Sequence, residues 1–185
     1  MMSEAWNFRK RERDRVKQGG AFEIMFIPVT TDDQMAMVES LAREIWTEYY
    51  TPIIGRKQVD YMLDRFQSRK TIAGQIKEGI LYFLIRADDE FIGYIAVQPK
   101  EDELFLSKIY VRSSERRKGF GRRAVRFAES LARERNLSRI VLTVNKNNVS
   151  SIKVYERTGF KSAGSLVQDI GNGFVMDDYK MEKTL

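Results

Sequence analysis

The 185-residue chain contains neither cysteine nor histidine. No disulfide, thiolate nucleophile or Ser-His-Asp relay can be built from it, and metal sites that depend on thiolate or imidazole are excluded. No metal is expected, and any proton transfer falls to Asp, Glu, Tyr, Lys, a terminus or water. Long apolar runs are missing too: residues 79–85 fall far below the ~20 residues of a membrane-spanning helix. Residues 1–20 are polar and basic with no apolar core of an export signal. A soluble cytoplasmic protein with no membrane partner is the expectation. Internal repeats and low-complexity segments are absent as well.

What remains is ordinary in bulk and uneven in detail. Hydrophobic residues make up 43% and charged ones 31%, near globular averages, and the length suits one domain, expected over residues 21–185. The net charge is +6, of which residues 1–20 carry +3 and residues 112–123 carry +5, leaving −2 elsewhere. The basicity is therefore two local features, and a surface that coats nucleic acid is not expected. Residues 1–20, with the mixed-sign run Arg9-Lys10-Arg11-Glu12-Arg13-Asp14-Arg15 before Gly19-Gly20, are read as a mobile extension. An RNA- or partner-binding arm is the alternative.

Residues 22–29 read as a first strand. Thr31-Asp32-Asp33-Gln34 has capping-box spacing and opens a helix whose Val38, Leu41, Ala42, Ile45, Trp46 and Tyr49 share one stripe. Thr51-Pro52-Ile53-Ile54-Gly55 reads as its break, and a second helix repeats the spacing with Val59, Met62, Leu63 and Phe66. The aromatics from Trp46 to Tyr61 read as core, with the segment around Pro52 a candidate wall for a substrate pocket. Strands over 80–86 and 91–97 flank a polar turn, and Glu103–Val111 is a third. The first two are apolar at nearly every position, which predicts a sheet covered on both faces. The pattern then becomes helix, strand, helix. Residues 122–136 turn Ala124, Phe127, Ala128 and Leu131 inward, residues 140–144 form a strand, and residues 148–158 end at Gly159 with Phe160 beyond. A closing hairpin spans 162–169 and 174–183, and its exposed edge is a candidate for pairing two copies as a homodimer. The fold class is α/β in the α+β sense: a mixed sheet, antiparallel at first and locally parallel in the middle, with flanking helices.

The third strand runs into Arg116-Arg117-Lys118-Gly119-Phe120-Gly121, followed by a helix. A glycine-lined turn at a helix N-terminus presents free N–H groups and the positive end of the helix dipole, which suits a phosphate. Arg116, Arg117, Lys118 and Arg122 adjoin the two glycines, and glycines that merely turn a corner need no such cations. The run Gly119 to Ala124 also fits G-x-G-x-x-A. A dinucleotide fold is disfavoured, because the motif follows antiparallel strands, lies a seven-residue loop beyond its strand, and precedes a strand that ends at Asn145 rather than at an acidic ribose partner. A P-loop fails because no glycine is followed by Lys-Ser or Lys-Thr.

Taken together, Ile109-Tyr110-Val111, then Arg116-x-x-Gly119-x-Gly121, then Asn148-x-x-Ser151-x-x-x-Tyr155-x-x-x-Gly159-Phe160 resemble the GNAT superfamily of acyl-coenzyme A-dependent N-acetyltransferases. The order of elements over the whole body is similar as well. The resemblance implies a splayed strand, Ile109 to Val111, whose backbone pairs with the pantetheine arm. It implies a pyrophosphate cradle at Arg116, Arg117, Lys118, Gly119, Phe120, Gly121 and Arg122, and cofactor contacts from Asn148 and Ser151. Tyr155 matches the residue that protonates the departing thiolate. Acetyl-CoA would be the co-substrate and a small-molecule or peptide amine the acceptor, such as a polyamine, a lysine or a chain N-terminus.

The general base departs from the family's pattern. Many relatives place a glutamate where this chain has Leu106-Ser107-Lys108, which leaves Glu103, Asp177, Asp178 or a water relay. The expected function is acetyl transfer to a primary amine. The alternative is a basic RNA- or ribosome-binding module with a degenerate acyl-CoA site.

Overall fold

The computed structural model describes residues 23–185. The expected extension over residues 1–20, and Phe22 at the start of the expected first strand, lie outside them. The elements are β1 (Ile24–Pro28), α1 (Asp32–Ile54), α2 (Arg56–Phe66), α3 (Arg69–Lys77), β2 (Leu81–Ala87), β3 (Glu90–Pro99), β4 (Glu103–Val111), α4 (Phe120–Glu134), β5 (Arg139–Asn145), α5 (Val149–Arg157), β6 (Lys161–Gly171) and β7 (Phe174–Thr184). One seven-stranded sheet has the order β1-β2-β3-β4-β5-β7-β6. Every neighbouring pair is antiparallel except β4 and β5.

The capping box forms as the spacing predicts: Gln34 N–H donates to Thr31 Oγ1 at 3.3 Å and Thr31 N–H to Gln34 Oε1 at 3.0 Å. Asp32 and Asp33 add negative charge to the first turn, where the helix dipole favours it. Two expectations are corrected here. Pro52 does not break the first helix, which runs through it to Ile54 and stops at Gly55, where φ is 82°. A proline this close to the C-terminus removes one N–H bond and leaves the rest of the ladder intact. The sequence reading also passed over α3, a nine-residue helix capped by the Ser68 hydroxyl, which accepts from Thr71 N–H.

Both sheet faces are covered, as the apolar strands predicted. On one face α4 buries Phe120, Ala124, Val125, Ala128, Leu131 and Ala132 against β2–β5. On the other, α1, α2 and α3 bury Val38, Leu41, Ile45, Trp46, Leu63 and Ile72. The outermost strand β6 leaves Leu166 and Val167 exposed.

The feature that positions the site is a slip in β4. Ala96 pairs with Lys108 and Val97 with Leu106, so Ser107 is an extra residue on β4. Such a bulge bends the strand and increases its local twist. It also shifts the side-chain alternation by one. Leu104, Leu106, Ile109 and Val111 all face α4, whereas Lys108 and Tyr110 face the α1–α3 layer. The parallel ladder to β5 holds for three pairs, Glu103 with Arg139, Leu104 with Ile140 and Phe105 with Val141. It ends two residues before the bulge, and the strands then diverge.

Candidate active site

Beyond Phe105, β4 is paired only to β3, and beyond Val141, β5 is paired only to β7. The two strands form a V open at their C-terminal ends, and each feeds a helix whose N-terminus lies at the mouth. A cavity of about 970 Å³ fills this gap. Leu106, Ser107, Ile109, Tyr110 and Val111 line one side, and Thr143, Val144 and Asn145 the other.

The basic turn closes one end. After Val111 a short 3-10 turn, Ser113–Glu115, leads to Arg117 at φ 64° and Gly119 at φ 87°. The first bond of α4 runs from Arg123 N–H to Gly119 O at 3.1 Å. The amides of Gly121 and Arg122 therefore precede the helical ladder. A Cβ at Gly119 or Gly121 would meet no atom within 4 Å, so both glycines face open space. These features fit a phosphate group.

The four cations of the motif divide by role. Arg117 and Arg122 line the cavity. Arg116 also borders it, but its Nε donates to Val111 O at 3.1 Å and its guanidinium lies over the Tyr49 ring at 4.3 Å, so it braces the turn against β4. Lys118 does not line the cavity, and its ammonium pairs with Glu115 at 2.9 Å. The Phe120 side chain is buried in the core under α4, which leaves its backbone facing the cradle.

At the other wall, Asn148 caps α5, its Oδ1 accepting from Ser151 N–H at 3.2 Å. Ser151 and Tyr155 follow along the same helix and line the cavity. The Tyr155 ring packs edge-on to Phe160. Burial pushes its phenol well above the usual range, and the neighbouring Tyr50 and Tyr49 add to the shift.

The sequence reading missed the end of α1. Tyr49 was assigned to the core stripe, yet its hydroxyl donates to Asn148 Oδ1 at 2.8 Å and meets Ser150 Oγ at 2.5 Å. Tyr50 accepts from Asn148 Nδ2 at 3.4 Å and packs edge-on to Tyr110, ring centroids 6.2 Å apart. Burial pushes the Tyr50 phenol up to about 12. Trp46 packs on Tyr50 and Tyr110 at 4.9 and 5.3 Å. The signal in the sequence was a pair of phenols at the end of an apolar stripe, where aliphatic residues would serve packing better.

The three carboxylates considered as bases fall in different places. Glu103 sits at the closed end of the V, bonded to Arg139 at 3.2 Å. Asp177 is exposed and pairs with Lys146 at 2.5 Å. Only Asp178 of the three borders the cavity. Among the described residues, no group of three or more Asp or Glu side chains could hold a metal ion, and no helix is long and apolar enough to cross a membrane.

The model of the acetyltransferase (GNAT) family matches residues 39–160. The chain belongs to this family. Its GNAT relatives include human N-acetyltransferase 8, 26% identical over 130 residues that cover 67% of this chain and 53% of the relative. Streptothricin acetyltransferase of Streptomyces lavendulae is 31% identical over 93 residues, 49% of each chain. The chain thus spans about half the length of these two curated relatives. Among solved structures, the PaiA N-acetyltransferase of Thermoplasma acidophilum in complex with coenzyme A superposes with a TM-score of 0.73 at 21% identity, covering 89% of this chain and 99% of that one. The GNAT fold, with its seven strands and central splayed pair, is the architecture the sequence predicted.

Proposed function

We propose that the chain is an N-acetyltransferase that moves the acetyl group of acetyl-coenzyme A directly onto a primary amine, with no covalent enzyme intermediate. One observation carries the reading: the unpaired gap between β4 and β5 opens onto a glycine-lined helix N-terminus. A single cavity therefore offers free strand edges and an anion cradle in series. Acetyl-coenzyme A supplies the activated acetyl thioester.

The remaining roles fall to the chain's own groups. Backbone groups of Ile109, Tyr110 and Val111 hold the amide-bearing arm, and an N–H at Val111 or one residue earlier polarises the carbonyl. Gly119, Gly121 and the Arg122 amide cradle the pyrophosphate, with Phe120 contributing its backbone and Arg117 its charge, while Arg116 keeps the turn in place. Asn148 and Ser151 contact the arm from α5. Tyr155 donates a proton to the departing sulfur, since a phenol is protonated at neutral pH. The acceptor classes named from the sequence are a polyamine, a lysine side chain and a chain N-terminus. The RNA-binding alternative draws on residues 1–20, and no observation on the described residues favours it.

The test is calorimetric titration of the purified protein with acetyl-coenzyme A and, separately, with a nicotinamide dinucleotide. Saturable one-to-one binding of the first and none of the second is expected. No binding of acetyl-coenzyme A would end this reading.

A further inference from the structure

Asp178 is a carboxylate at the cavity's border to which the roles above assign nothing. It lies on β7 opposite Asn145, where β5 reaches the open end of the V. It is only 4% exposed, and its Oδ1 has no hydrogen-bond partner. A buried carboxylate short of donors is costly to keep charged, so a cation brought to the cavity edge of Asp178 would be favoured. Several groups face this carboxylate. Thr143 and Lys146 stand near and favour the charged form, while burial and Asp177 oppose it. Burial is the largest influence and raises the carboxyl above its usual range. Tyr50 is close enough to feel its charge. The residues of α1, α2 and β7 that also line the cavity are mostly apolar or aromatic, with Trp46, Ile54, Met62 and Met176, and Gln58 stands between Ile54 and Met62.

The count of carboxylates narrows the acceptor. Among the described residues lining the cavity, carboxylates occur at Glu115 and Asp178 alone. Glu115 is in the phosphate turn and already neutralises Lys118. One carboxylate is therefore left for the acceptor, and the surface around it suits apolar atoms.

We propose that Asp178 anchors the acceptor's ammonium and takes its proton, and that the acceptor is a monoamine whose nitrogen adjoins an apolar or aromatic group rather than a polyamine. This rests on the transferase reading above. The ammonium gives one proton to Asp178, and the neutral nitrogen forms the C–N bond as the C–S bond breaks. Tyr155 protonates the departing sulfur, and the second nitrogen proton restores Tyr155. One proton leaves Asp178 for solvent per turnover. A carboxyl raised by burial is better matched to this exchange than an ordinary one. The aromatic wall favours a cation beside an apolar body.

The experiment compares phenethylamine with spermidine as acceptors, for the wild type and Asp178→Asn, with acetyl-coenzyme A affinity measured on each protein. Wild type is expected to prefer phenethylamine by about tenfold or more in kcat/KM, and Asp178→Asn to lower that value by about 100-fold or more. Acetyl-coenzyme A affinity should change by less than about threefold. Preference for spermidine, or an Asn variant that binds acetyl-coenzyme A and keeps full kcat/KM, overturns the proposal while leaving the transferase reading standing. Failure of the wild type to bind acetyl-coenzyme A sinks the transferase reading instead. A binding measurement on coenzyme A-loaded wild type covers a variant that does not fold or a panel that is not turned over. Phenethylamine, an ammonium at neutral pH, should bind about tenfold or more tightly than its uncharged isostere n-propylbenzene, and equal affinities overturn the proposal.

Discussion

At the scale of single residues, the site is a set of half-buried phenols around the cavity. Tyr155 lines the cavity, and its phenol is raised by burial and by its neighbours Tyr50 and Tyr49. A donor acting only as the C–S bond breaks contributes to the transition state and hardly to cofactor binding. Tyr155→Phe should therefore lower kcat by about 10²-fold, with acetyl-coenzyme A affinity unchanged, in steady-state thiol-release assays paired with calorimetry. An unchanged kcat would remove Tyr155 from the chemistry. Tyr49 and Tyr50 act differently, because their hydroxyls bond across the cavity to Asn148 and Ser150. They join α1 to the capped end of α5 and so help set the cavity's width.

At the scale of elements, the N-terminus of α4 separates what the fold requires from what a ligand requires. Gly119 has a positive φ that other residues resist, whereas the Gly121 backbone is ordinary and a Cβ there would touch nothing. The fold thus has no use for glycine at 121, where alanine is the better helix former. Gly121→Ala should raise unfolding free energy by about 0.5–1 kcal/mol in urea denaturation. It should also weaken acetyl-coenzyme A binding, since the methyl group would occupy the cradle. Tighter or equal binding would show that no phosphate approaches this turn.

The same contrast explains how much could be read from the sequence. Strands, capping box and the α4 stripe are legible because each is local: short apolar runs between turns, a Thr-x-x-Gln spacing and a stripe of period 3.6. The helix α3 is not, since Arg69–Lys77 holds Gly74 and buries only Ile72. The bulge left a trace that was read past: apolar positions at 104, 106, 109 and 111 slip phase once, and Ser107 is where they slip. The glycine turn is legible as a phosphate site from its own residues, and the α5 residues through the resemblance. The Tyr49–Asn148 bond joins residues 99 apart, and no local pattern reports such a pairing. The selection of Asp178 over Glu103 and Asp177 likewise needed the sheet order that puts β7 beside β5.

At the scale of the whole molecule, the two cores make the folded state sensitive to alkali in two opposed ways. Lys108 faces the α1–α3 layer at 7% exposure, held by Gln75 Oε1 at 3.1 Å and over the Tyr82 ring at 5.1 Å. Burial lowers its pKa from 10.5 to about 8. Between those values the unfolded chain binds more protons than the folded one, so stability rises with pH across this window, by an amount on the order of 3 kcal/mol. Five tyrosines behave oppositely: Tyr50, Tyr82, Tyr94, Tyr110 and Tyr155 are all raised, chiefly by burial. Above about pH 10 the unfolded chain loses phenol protons that the folded one keeps, and stability falls. A stability maximum on the alkaline side of neutrality, about pH 9–10, should follow in urea unfolding monitored by circular dichroism. In Lys108→Met the rise between pH 8 and 10 should vanish while the fall remains, with phenolate absorbance appearing together with loss of structure. Parallel profiles for the two proteins would mean that Lys108 is hydrated in the folded state and that the α1–α3 layer is looser than its packing indicates.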